Sequence, residues 1–237
     1  MKKPIRKNAR AVWNAEYDDP QYFTMSMQQS AELGRFVRWL KKDSGNDIFQ
    51  YIHALDVGCG NGRNLLYLAE NYGTTGVGCD LADTAIAQAN RAVKEHNIPN
   101  VSFFVHDLAE KFPLENETFD LVMDMMVSHC LDKAGREQFL SEIVRLLKPG
   151  GWYLIKTFMK EGDSHAKRLI EKSPGTEPDS YIHPRLGVME HVWTEESLHE
   201  FLEPHFVIHK TVRSSGYQRW NNQPYKRRYM VVYAEKK

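Results

Sequence analysis

One stretch of the chain constrains its fold more than any other, LDVGCGNGRNLLYLAENYGTTGVGCDLA, which runs from Leu55 to Ala82. It contains a short apolar run, three alternating glycines, a helical pattern and a second apolar run that ends at Asp80. Two buried strands joined through a helix form a parallel βαβ unit with a right-handed crossover. In an open parallel sheet, ligands bind beyond the carboxyl ends of such strands.

The three glycines, Gly58, Gly60 and Gly62, lie at that edge of the predicted sheet. Glycine adopts positive φ angles and lets a ligand approach the backbone closely. The helix that begins near Arg63 directs its free N–H groups to the same point, which favours an anionic group. Asp80 ends the second strand and is well placed to accept hydrogen bonds from both hydroxyls of a ribose. We therefore predict a site for a nucleoside-containing cofactor, with Gly58 and Gly60 among its contacts.

The alternation of strands and helices continues beyond this stretch. Three further apolar runs read as strands, VSFFVHD, FDLVMDM and WYLIKTF, and Asp83 and Asp132 are predicted to cap helices between them. Five successive β-then-α units predict a doubly wound α/β fold with a parallel sheet. A helix capped by Thr194 and two terminal strands, HFVIHKTVR and RRYMVVYAE, complete the pattern, and we expect the last two to be antiparallel.

Two segments lie outside the alternation. Residues 1–45 contain a predicted helix over about Gln29 to Lys42, with Ser26 as its N-cap, and are expected to cover the cofactor. Residues 159–192 are longer than an ordinary α/β connection, polar and rich in histidine, so we expect a lid on the substrate side of the pocket. With these two additions, residues 1–237 are predicted to form a single domain.

Composition narrows the classes of function. Lys plus Arg and Asp plus Glu both number 31, so no overall field attracts the chain to nucleic acid or to an anionic membrane. No apolar run approaches the roughly 18–20 residues that span a bilayer, and the basic N-terminus lacks the apolar core of a secretion signal. The three cysteines match no zinc or iron–sulfur spacing, so we expect no metal site and a reducing cytoplasmic setting.

The acids that flank the glycines choose between two classes of cofactor. The dinucleotide fingerprint is G-x-G-x-x-G, whereas this chain has Arg63 at the last position. Asp56, which precedes the loop, would repel a pyrophosphate but suits an ammonium group. S-adenosylmethionine carries an ammonium group, a carboxylate for the helix N-terminus and a ribose for Asp80. Charge matching therefore favours S-adenosylmethionine over NAD.

Five motifs occur in order between about Ala54 and Phe158: LDVGCGNG, GCDLA, VHDLAEKFPL, FDLVMDMMVSHCL and LLKPGGWYLI. Together they resemble the class I S-adenosylmethionine-dependent methyltransferases. The resemblance implies a seven-stranded sheet whose last strand belongs to an antiparallel hairpin. It implies that Asp107 accepts a hydrogen bond from the adenine amino group and that Leu108 offers its N–H to the ring. It also places Leu81 at the cofactor and Met125 beside the methionine moiety.

The candidate catalytic residues are Asp124 and His129, which end or follow the fourth predicted strand near the expected methyl position. Methyl transfer from a sulfonium is an in-line displacement in which the protein mainly aligns the acceptor and excludes water. A general base helps when the acceptor must lose a proton, and histidine suits that role. The alternatives are a packing or capping role for His129 and the binding of backbone amides by Asp124.

Candidates for the acceptor pocket lie outside the motifs. Trp13 and Tyr17 are four residues apart and would share one face of a helix, where aromatic rings suit a sulfonium. A hydrophobic anchor for a terminal helix is the alternative. Tyr181 and His183 are the substrate-binding candidates in the insertion. The sequence does not rank them against other side chains of the insertion and the tail: Arg185, His191, Tyr217, Arg219, Trp220 and Tyr225.

The leading interpretation is an enzyme that methylates an O, N or S atom of a small molecule. The alternative is an RNA or protein methyltransferase, because basic residues cluster near both ends: Lys2, Lys3, Arg6, Lys7, Arg10, Lys226, Arg227 and Arg228. A non-catalytic cofactor-binding protein is a third hypothesis, against which the intact acids Asp56 and Asp80 argue. The sequence leaves the acceptor and the oligomeric state open.

Overall fold

The computed structural model describes residues 9–21, 26–44, 52–220 and 223–237 of the chain. The helices are α1 (Ala9–Asp18), α2 (Ala31–Ser44), α3 (Arg63–Tyr72), α4 (Asp83–Glu95), α5 (Lys133–Leu146), α6 (Ser164–Lys172) and α7 (Glu195–Leu202). The strands are β1 (His53–Val57), β2 (Thr75–Asp80), β3 (Val101–Val105), β4 (Phe119–Met125), β5 (Leu147–Phe158), β6 (Ser180–Ile182), β7 (Met189–His191), β8 (Phe206–Trp220) and β9 (Gln223–Lys236). Strands and helices therefore alternate as the sequence predicts.

Seven strands form one sheet in the order β3-β2-β1-β4-β5-β9-β8. The five strands from β3 to β5 are parallel, whereas β9 runs antiparallel to both β5 and β8. The predicted doubly wound sheet with an antiparallel C-terminal hairpin is confirmed. The chain reverses its direction across the sheet between β1 and β4, so the carboxyl ends of these two strands flank the position where ligands bind in such folds.

Apolar layers cover both faces of the sheet. In β1, Ala54 belongs to one layer, whereas Leu55 and Val57 belong to the other, as the alternation of side chains along a strand requires. The first layer includes side chains of α2, α3 and α4, and the second includes those of α5 and α7. Burial on both faces explains why the strands read as nearly continuous apolar runs.

Caps explain where several helices begin. The side chain of Asp132 accepts a hydrogen bond from the Gly135 N–H at 2.8 Å, and Thr194 forms a capping box with Ser197, so both predicted caps are confirmed. The predicted cap at Asp83 is wrong, because α4 begins at that residue and its carboxylate binds α1 instead. The predicted cap at Ser26 is also wrong, because α2 begins at Ala31, five residues after Ser26, and is capped by the residue just before it.

That cap on α2 is Ser30, whose Oγ accepts a hydrogen bond from the Leu33 N–H at 3.1 Å. Leu33 and Phe36 of this helix are fully buried in the layer that covers the sheet. Within the first 45 residues, α1 therefore takes the position over the strand ends, whereas α2 belongs to the sheet layer. Residues 1–8, 22–25 and 45 lie outside the described residues.

The segment 159–192 contains α6 and the two-stranded sheet β6-β7. It is fastened to β9, because Asp163 accepts hydrogen bonds from Nε of Arg227 at 2.8 Å and from the N–H of Arg228 at 2.9 Å. The strands β8 and β9 extend beyond the predicted runs and pair along most of their length. None of the described helices is long and apolar enough to cross a membrane.

Candidate active site

A cavity of about 760 Å³ lies at the carboxyl ends of the central strands. Its wall is formed by α1, the loop after β1, the ends of β2 and β3, the segment after β4, part of the insertion and β9. Most of the predicted site residues line it: Trp13, Tyr17, Gly58, Asp80, Leu81, Asp107, Leu108, Met125, His129 and His183. The others do not line it: Asp56, Gly60, Asp124 and Tyr181.

The glycine loop after β1 is closely packed on two sides. Gly58 and Gly60 have φ angles of 61° and 57°, which side-chain-bearing residues rarely adopt. A Cβ atom added to Gly58 would lie 2.2 Å from Val127 Cγ2, and one added to Gly60 would lie 2.4 Å from the Tyr17 hydroxyl. The loop therefore fits between α1 and the segment after β4. Because Tyr17 packs over Gly60, this glycine lies behind the cavity wall.

Asp80 is held in a fixed orientation at the end of β2. Its Oδ2 accepts a hydrogen bond from the Gly60 N–H at 3.0 Å, and its Oδ1 accepts one from the Ala82 N–H at 2.9 Å. Burial raises the pKa of this carboxyl. A carboxylate oxygen accepts more than one hydrogen bond, so Asp80 retains capacity for the hydroxyls of a ligand. Asp107 is similar, because its Oδ1 accepts from the Ala109 N–H at 2.9 Å while the residue lines the cavity.

Asp56 lies behind the glycine loop and is 1% exposed. Neither of its carboxylate oxygens has a hydrogen-bond partner among the described residues. Burial raises the pKa of Asp56 to about 8, against the opposing effect of the Arg63 charge. An unpartnered buried acid is costly, and a positive charge nearby would favour its ionised form. This environment fits a cofactor that brings an ammonium or sulfonium group to the adjacent cavity.

Asp124 is fully buried and shapes the chain after β4. Its Oδ1 accepts from the N–H groups of Val127 at 3.1 Å and Ser128 at 3.2 Å, and its Oδ2 accepts from the Tyr153 hydroxyl at 3.0 Å. The side chain lies on the same face of β4 as Val122, which packs in the layer that includes α5 and α7, because side chains alternate along a strand. The placement differs from our expectation that this carboxylate lies beside the transferred methyl group.

The turn that Asp124 holds presents His129 to the cavity. Met126 has a φ angle of 74°, an unusual conformation for a non-glycine residue, and a short 3₁₀ turn over Ser128–Cys130 follows. His129 is 3% exposed, and its ring packs edge-on against Phe158 with the centroids 4.8 Å apart. Its Nδ1 has no partner in the described part of the chain. Burial lowers its pKa to about 4, so the imidazole is neutral at pH 7.

The opposite end of the cavity is built by the insertion and β9. Arg227, 1% exposed, donates from Nε to Asp163 at 2.8 Å and from Nη2 to the Tyr181 hydroxyl at 2.9 Å. Tyr181 in turn donates to Glu190, which lines the cavity with Arg227. Tyr181 is thus a support behind the wall. Sequence reasoning missed Glu190 and Arg227 as wall residues, since no local spacing links partners this far apart in the chain.

Helix α1 forms the part of the cavity wall that lies over the carboxyl ends of the strands. Trp13 and Tyr17 line it from one face of the helix, as their spacing predicts. Arg10 donates from Nε to Oδ2 of Asp83 at 2.8 Å, and the Asn14 amide donates to the same oxygen at 3.2 Å. These contacts fasten α1 to the start of α4.

Comparison with known proteins agrees with this architecture. Residues 54–151 match a family model described as a methyltransferase domain. The chain is 37% identical over 169 residues to a phthiotriol/phenolphthiotriol dimycocerosates methyltransferase of Mycobacterium ulcerans, covering 70% of this chain and 60% of that protein. It is 38% identical over 106 residues to a 2-heptyl-1-hydroxyquinolin-4(1H)-one methyltransferase of Mycobacteroides abscessus, covering 45% and 46%. The chain therefore spans less than two thirds of the length of either relative.

Solved structures share the whole fold. A 1,6-didemethyltoxoflavin-N1-methyltransferase of Burkholderia thailandensis, solved with 1,6-didemethyltoxoflavin and S-adenosylhomocysteine, superposes with a TM-score of 0.68 at 20% identity, covering 100% of this chain and 91% of that one. A SAM-dependent methyltransferase of Methanosarcina mazei gives a TM-score of 0.66 at 24% identity, covering 79% and 93%. The matched region, residues 54–151, is a methyltransferase domain, and the described residues outside it complete the seven-stranded fold that these solved structures share.

Proposed function

We propose that this protein transfers the methyl group of S-adenosylmethionine to an O, N or S atom of a small-molecule acceptor. One observation carries the proposal: a single cavity joins Gly58, Asp80 and Asp107 at one end to His129 and His183 at the other. Its volume of about 760 Å³ lies within the range of small-ligand sites, roughly 300–1,000 Å³. The cavity thus offers groups for a nucleoside and, beside them, space for an acceptor.

Different side chains at the cofactor end would bind different parts of S-adenosylmethionine. Asp80 would bind the ribose hydroxyls, Asp107 and Leu108 the adenine, and Met125 the methionine portion. Asp56, without a partner of its own, would stabilise the ammonium group from behind the loop. When bound, S-adenosylmethionine supplies a methyl group on a sulfonium, so the leaving group is already activated.

The acceptor end aligns the nucleophile and excludes water, which is the main requirement for an in-line displacement. Trp13 and Tyr17 close this space from α1, and His183 closes it from the insertion. His129 is neutral at pH 7, and its ring, which packs edge-on against Phe158, limits the space beside the acceptor. Asp124 keeps His129 in place by holding the preceding turn.

The burial of one basic residue favours a small acceptor over RNA or a protein. Arg227, in the C-terminal basic run, is buried against Asp163 and is not available to a polyanion. Lys2, Lys3, Arg6 and Lys7 lie outside the described residues. The three free cysteines support our proposal of a cytoplasmic setting. The single seven-stranded sheet, which includes strands from most of the chain, supports our proposal of a single domain.

Calorimetry tests the cofactor assignment. We expect S-adenosylmethionine and S-adenosylhomocysteine to bind and NAD not to bind. Asp80→Asn should weaken binding at least tenfold, because a charge-assisted hydrogen bond is worth about 1.5–3 kcal/mol. Asp120→Asn, which alters the Lys148 ion pair at the opposite edge of the sheet, is the control. Binding of NAD alone would overturn the proposal.

Transfer of a labelled methyl group tests the acceptor class. The protein is incubated with labelled S-adenosylmethionine and either a small-molecule extract or RNA. We expect label in the small-molecule fraction. Label in RNA that declines steeply with salt would favour the nucleic-acid alternative.

A further inference from the structure

Glu190 is the acid at the acceptor end of the cavity that the cofactor does not require. It lies on β7, is 6% exposed and lines the cavity. Its Oε2 accepts a hydrogen bond from the Tyr181 hydroxyl, and a carboxylate has about four accepting positions in all. Buried carboxylates are ordinarily hydrogen-bonded on both oxygens or paired with a cation. Glu190 therefore retains accepting capacity where an acceptor would bind.

The positive charge near Glu190 is shared with a second buried carboxylate. Two buried carboxylates, Asp163 and Glu190, share the guanidinium of Arg227. Arg227 forms its direct ion pair with Asp163 at 2.8 Å, whereas the Tyr181 hydroxyl joins it to Glu190. The titratable side chains around this acid come from the turn after β4, from the insertion and from β9: His129, Cys130, Tyr181, His183, Tyr225 and Arg227.

The walls around this acid are flat and aromatic. Phe158 stacks on Tyr229 with ring centroids 5.5 Å apart, and Arg227 lies 3.7 Å from the centroid of Phe158. Tyr225 is stacked on His165 with the centroids 3.9 Å apart. Phe158, Tyr225 and Tyr229 line the cavity and make this part of its wall apolar, which suits an aromatic compound. Two carboxylates share one guanidinium here, so a further carboxylate is disfavoured, and a protonated amine has no lone pair for the attack. A neutral acceptor that offers an O–H or N–H to Glu190 therefore fits this end of the cavity.

We propose, on the basis of the proposed function, that Glu190 accepts the proton of the methyl acceptor and that the acceptor is a neutral aromatic compound with a ring-bound O–H or N–H. The acceptor's heteroatom forms a bond to the methyl carbon while the carbon–sulfur bond breaks and leaves its electron pair on sulfur. The acceptor's proton passes to Glu190. The products are the methylated acceptor, a neutral thioether and a protonated Glu190, which returns its proton to solvent after release.

The decisive experiment compares two acceptors that differ in acidity. 4-Hydroxyquinoline must lose a proton during transfer, whereas the nitro group of 3-nitro-4-hydroxyquinoline acidifies its hydroxyl, so this compound ionises before it reacts. Glu190→Gln should lower kcat/KM for 4-hydroxyquinoline by about 100-fold or more, the usual contribution of a general base. It should lower kcat/KM for the ionised nitro compound less than tenfold. The loss for 4-hydroxyquinoline should shrink as the pH rises.

Matched variants make the comparison specific. Glu171→Gln removes an exposed acid of α6 and should leave both acceptors unaffected. Tyr181→Phe removes the support of Glu190 and should give a smaller loss with the same dependence on acceptor acidity. If Glu190→Gln does not fold, Glu190→Asp and Tyr181→Phe supply the comparison. Equal losses for both acceptors, or no loss, would overturn the role of Glu190.

Binding measurements separate this inference from the proposed function. Calorimetry of each variant with S-adenosylhomocysteine should give unchanged affinity. Calorimetry should also show that 4-hydroxyquinoline binds the S-adenosylhomocysteine complex of Glu190→Gln more weakly than that of the wild type. If S-adenosylhomocysteine does not bind the wild type, the proposed function fails. The transfer of labelled methyl groups is also measured with octanoate and phenethylamine, an aliphatic acid and an amine, beside the two hydroxyquinolines. If S-adenosylhomocysteine binds but the label passes to octanoate or phenethylamine, or to none of the four compounds, the proposed acceptor class alone fails.

Discussion

At the scale of residues, the site shows how one type of side chain acquires different roles. Asp80 holds two backbone N–H groups and still lines the cavity, Asp124 holds a turn, and Asp56 has no hydrogen-bond partner among the residues described. The sequence places all three at the ends of strands. Burial and local donors then decide which carboxylate faces a ligand and which supports the backbone.

The raised pKa of Asp56 predicts a pH-dependent stability. Because burial raises its pKa to about 8, the folded protein retains a proton there that the unfolded chain loses near pH 4. This contribution to stability therefore decreases from about pH 4 to pH 8, by at most ~1.4 kcal/mol per pH unit. Asp56→Asn abolishes this pH-dependent contribution. The free energy of unfolding of the variant should therefore rise relative to that of the wild type as the pH increases from about 4 to 8.

Urea unfolding at pH 5, 6.5 and 8 measures this difference. Asp18→Asn, at the exposed end of α1, controls for the loss of a surface carboxylate. A difference between Asp56→Asn and the wild type that stays constant with pH would contradict the prediction.

Substitution of Gly60 should lower the free energy of unfolding by more than backbone strain alone accounts for. Gly60→Ala places an alanine at positive φ and a Cβ atom 2.4 Å from the Tyr17 hydroxyl. Gly73 also has a positive φ, of 66°, but no atom lies within 4 Å of a Cβ there. Gly73→Ala should therefore cost about 1–2 kcal/mol, the strain of a left-handed residue, and Gly60→Ala more. Urea unfolding of both variants provides the test, and equal costs would contradict the packing of Tyr17 on the loop.

At the scale of elements, α1 closes the cavity through a few polar contacts with α4. Arg10 and Asn14 bind the Asp83 carboxylate, and the Gln88 amide donates to the Tyr17 carbonyl at 2.8 Å. Exposed ion pairs contribute little to global stability. The energetic balance between closed and open α1 is therefore expected to be small, which suits an element that must admit a ligand.

Asp83→Ala should release α1 without unfolding the sheet. We expect faster amide hydrogen exchange across residues 9–18 and several-fold weaker binding of S-adenosylhomocysteine, because Trp13 and Tyr17 leave the cavity wall more often. Glu70→Gln removes an exposed contact with His96 that does not involve α1 and is the control. Unchanged exchange in α1 would show that other contacts hold the helix.

The elements also show where local sequence signals succeed. Asp132 and Thr194 are caps because a short polar side chain precedes a run with helical spacing, which is a local property. Asp83 satisfies the same pattern, yet its carboxylate binds Arg10 from a distant helix. A tertiary ion pair thus replaced a local capping contact that the pattern alone favours.

At the scale of the whole molecule, the cavity depends on segments from both ends of the chain. Residues of α1, the glycine loop, the insertion and β9 meet around one space. A ligand bound there contacts elements that would otherwise separate on unfolding, so binding and folding are thermodynamically linked. The added stability is RT ln(1 + [L]/Kd), or about 2.7 kcal/mol at 100 times Kd.

This linkage predicts that S-adenosylhomocysteine raises the urea midpoint of the wild type in proportion to ln[ligand]. Asp80→Asn should show a smaller shift at the same ligand concentration, because its affinity is lower. Asp120→Asn should behave like the wild type. An equal shift for Asp80→Asn and the wild type would contradict the assignment of Asp80 to the cofactor.

The sequence by itself predicted the doubly wound sheet, which the structure confirms, and the methyltransferase motifs, which the match over residues 54–151 confirms. These depend on strand–helix alternation, on glycines between β1 and α3 and on acids at strand ends, and each of these signals lies within a few residues of chain. Only the tertiary structure decided which acids face the cavity and how its acceptor end is built. Glu190, Tyr181 and Arg227 meet through contacts between β7, β6 and β9, and the burial that sets their chemistry exists only once these strands pack together.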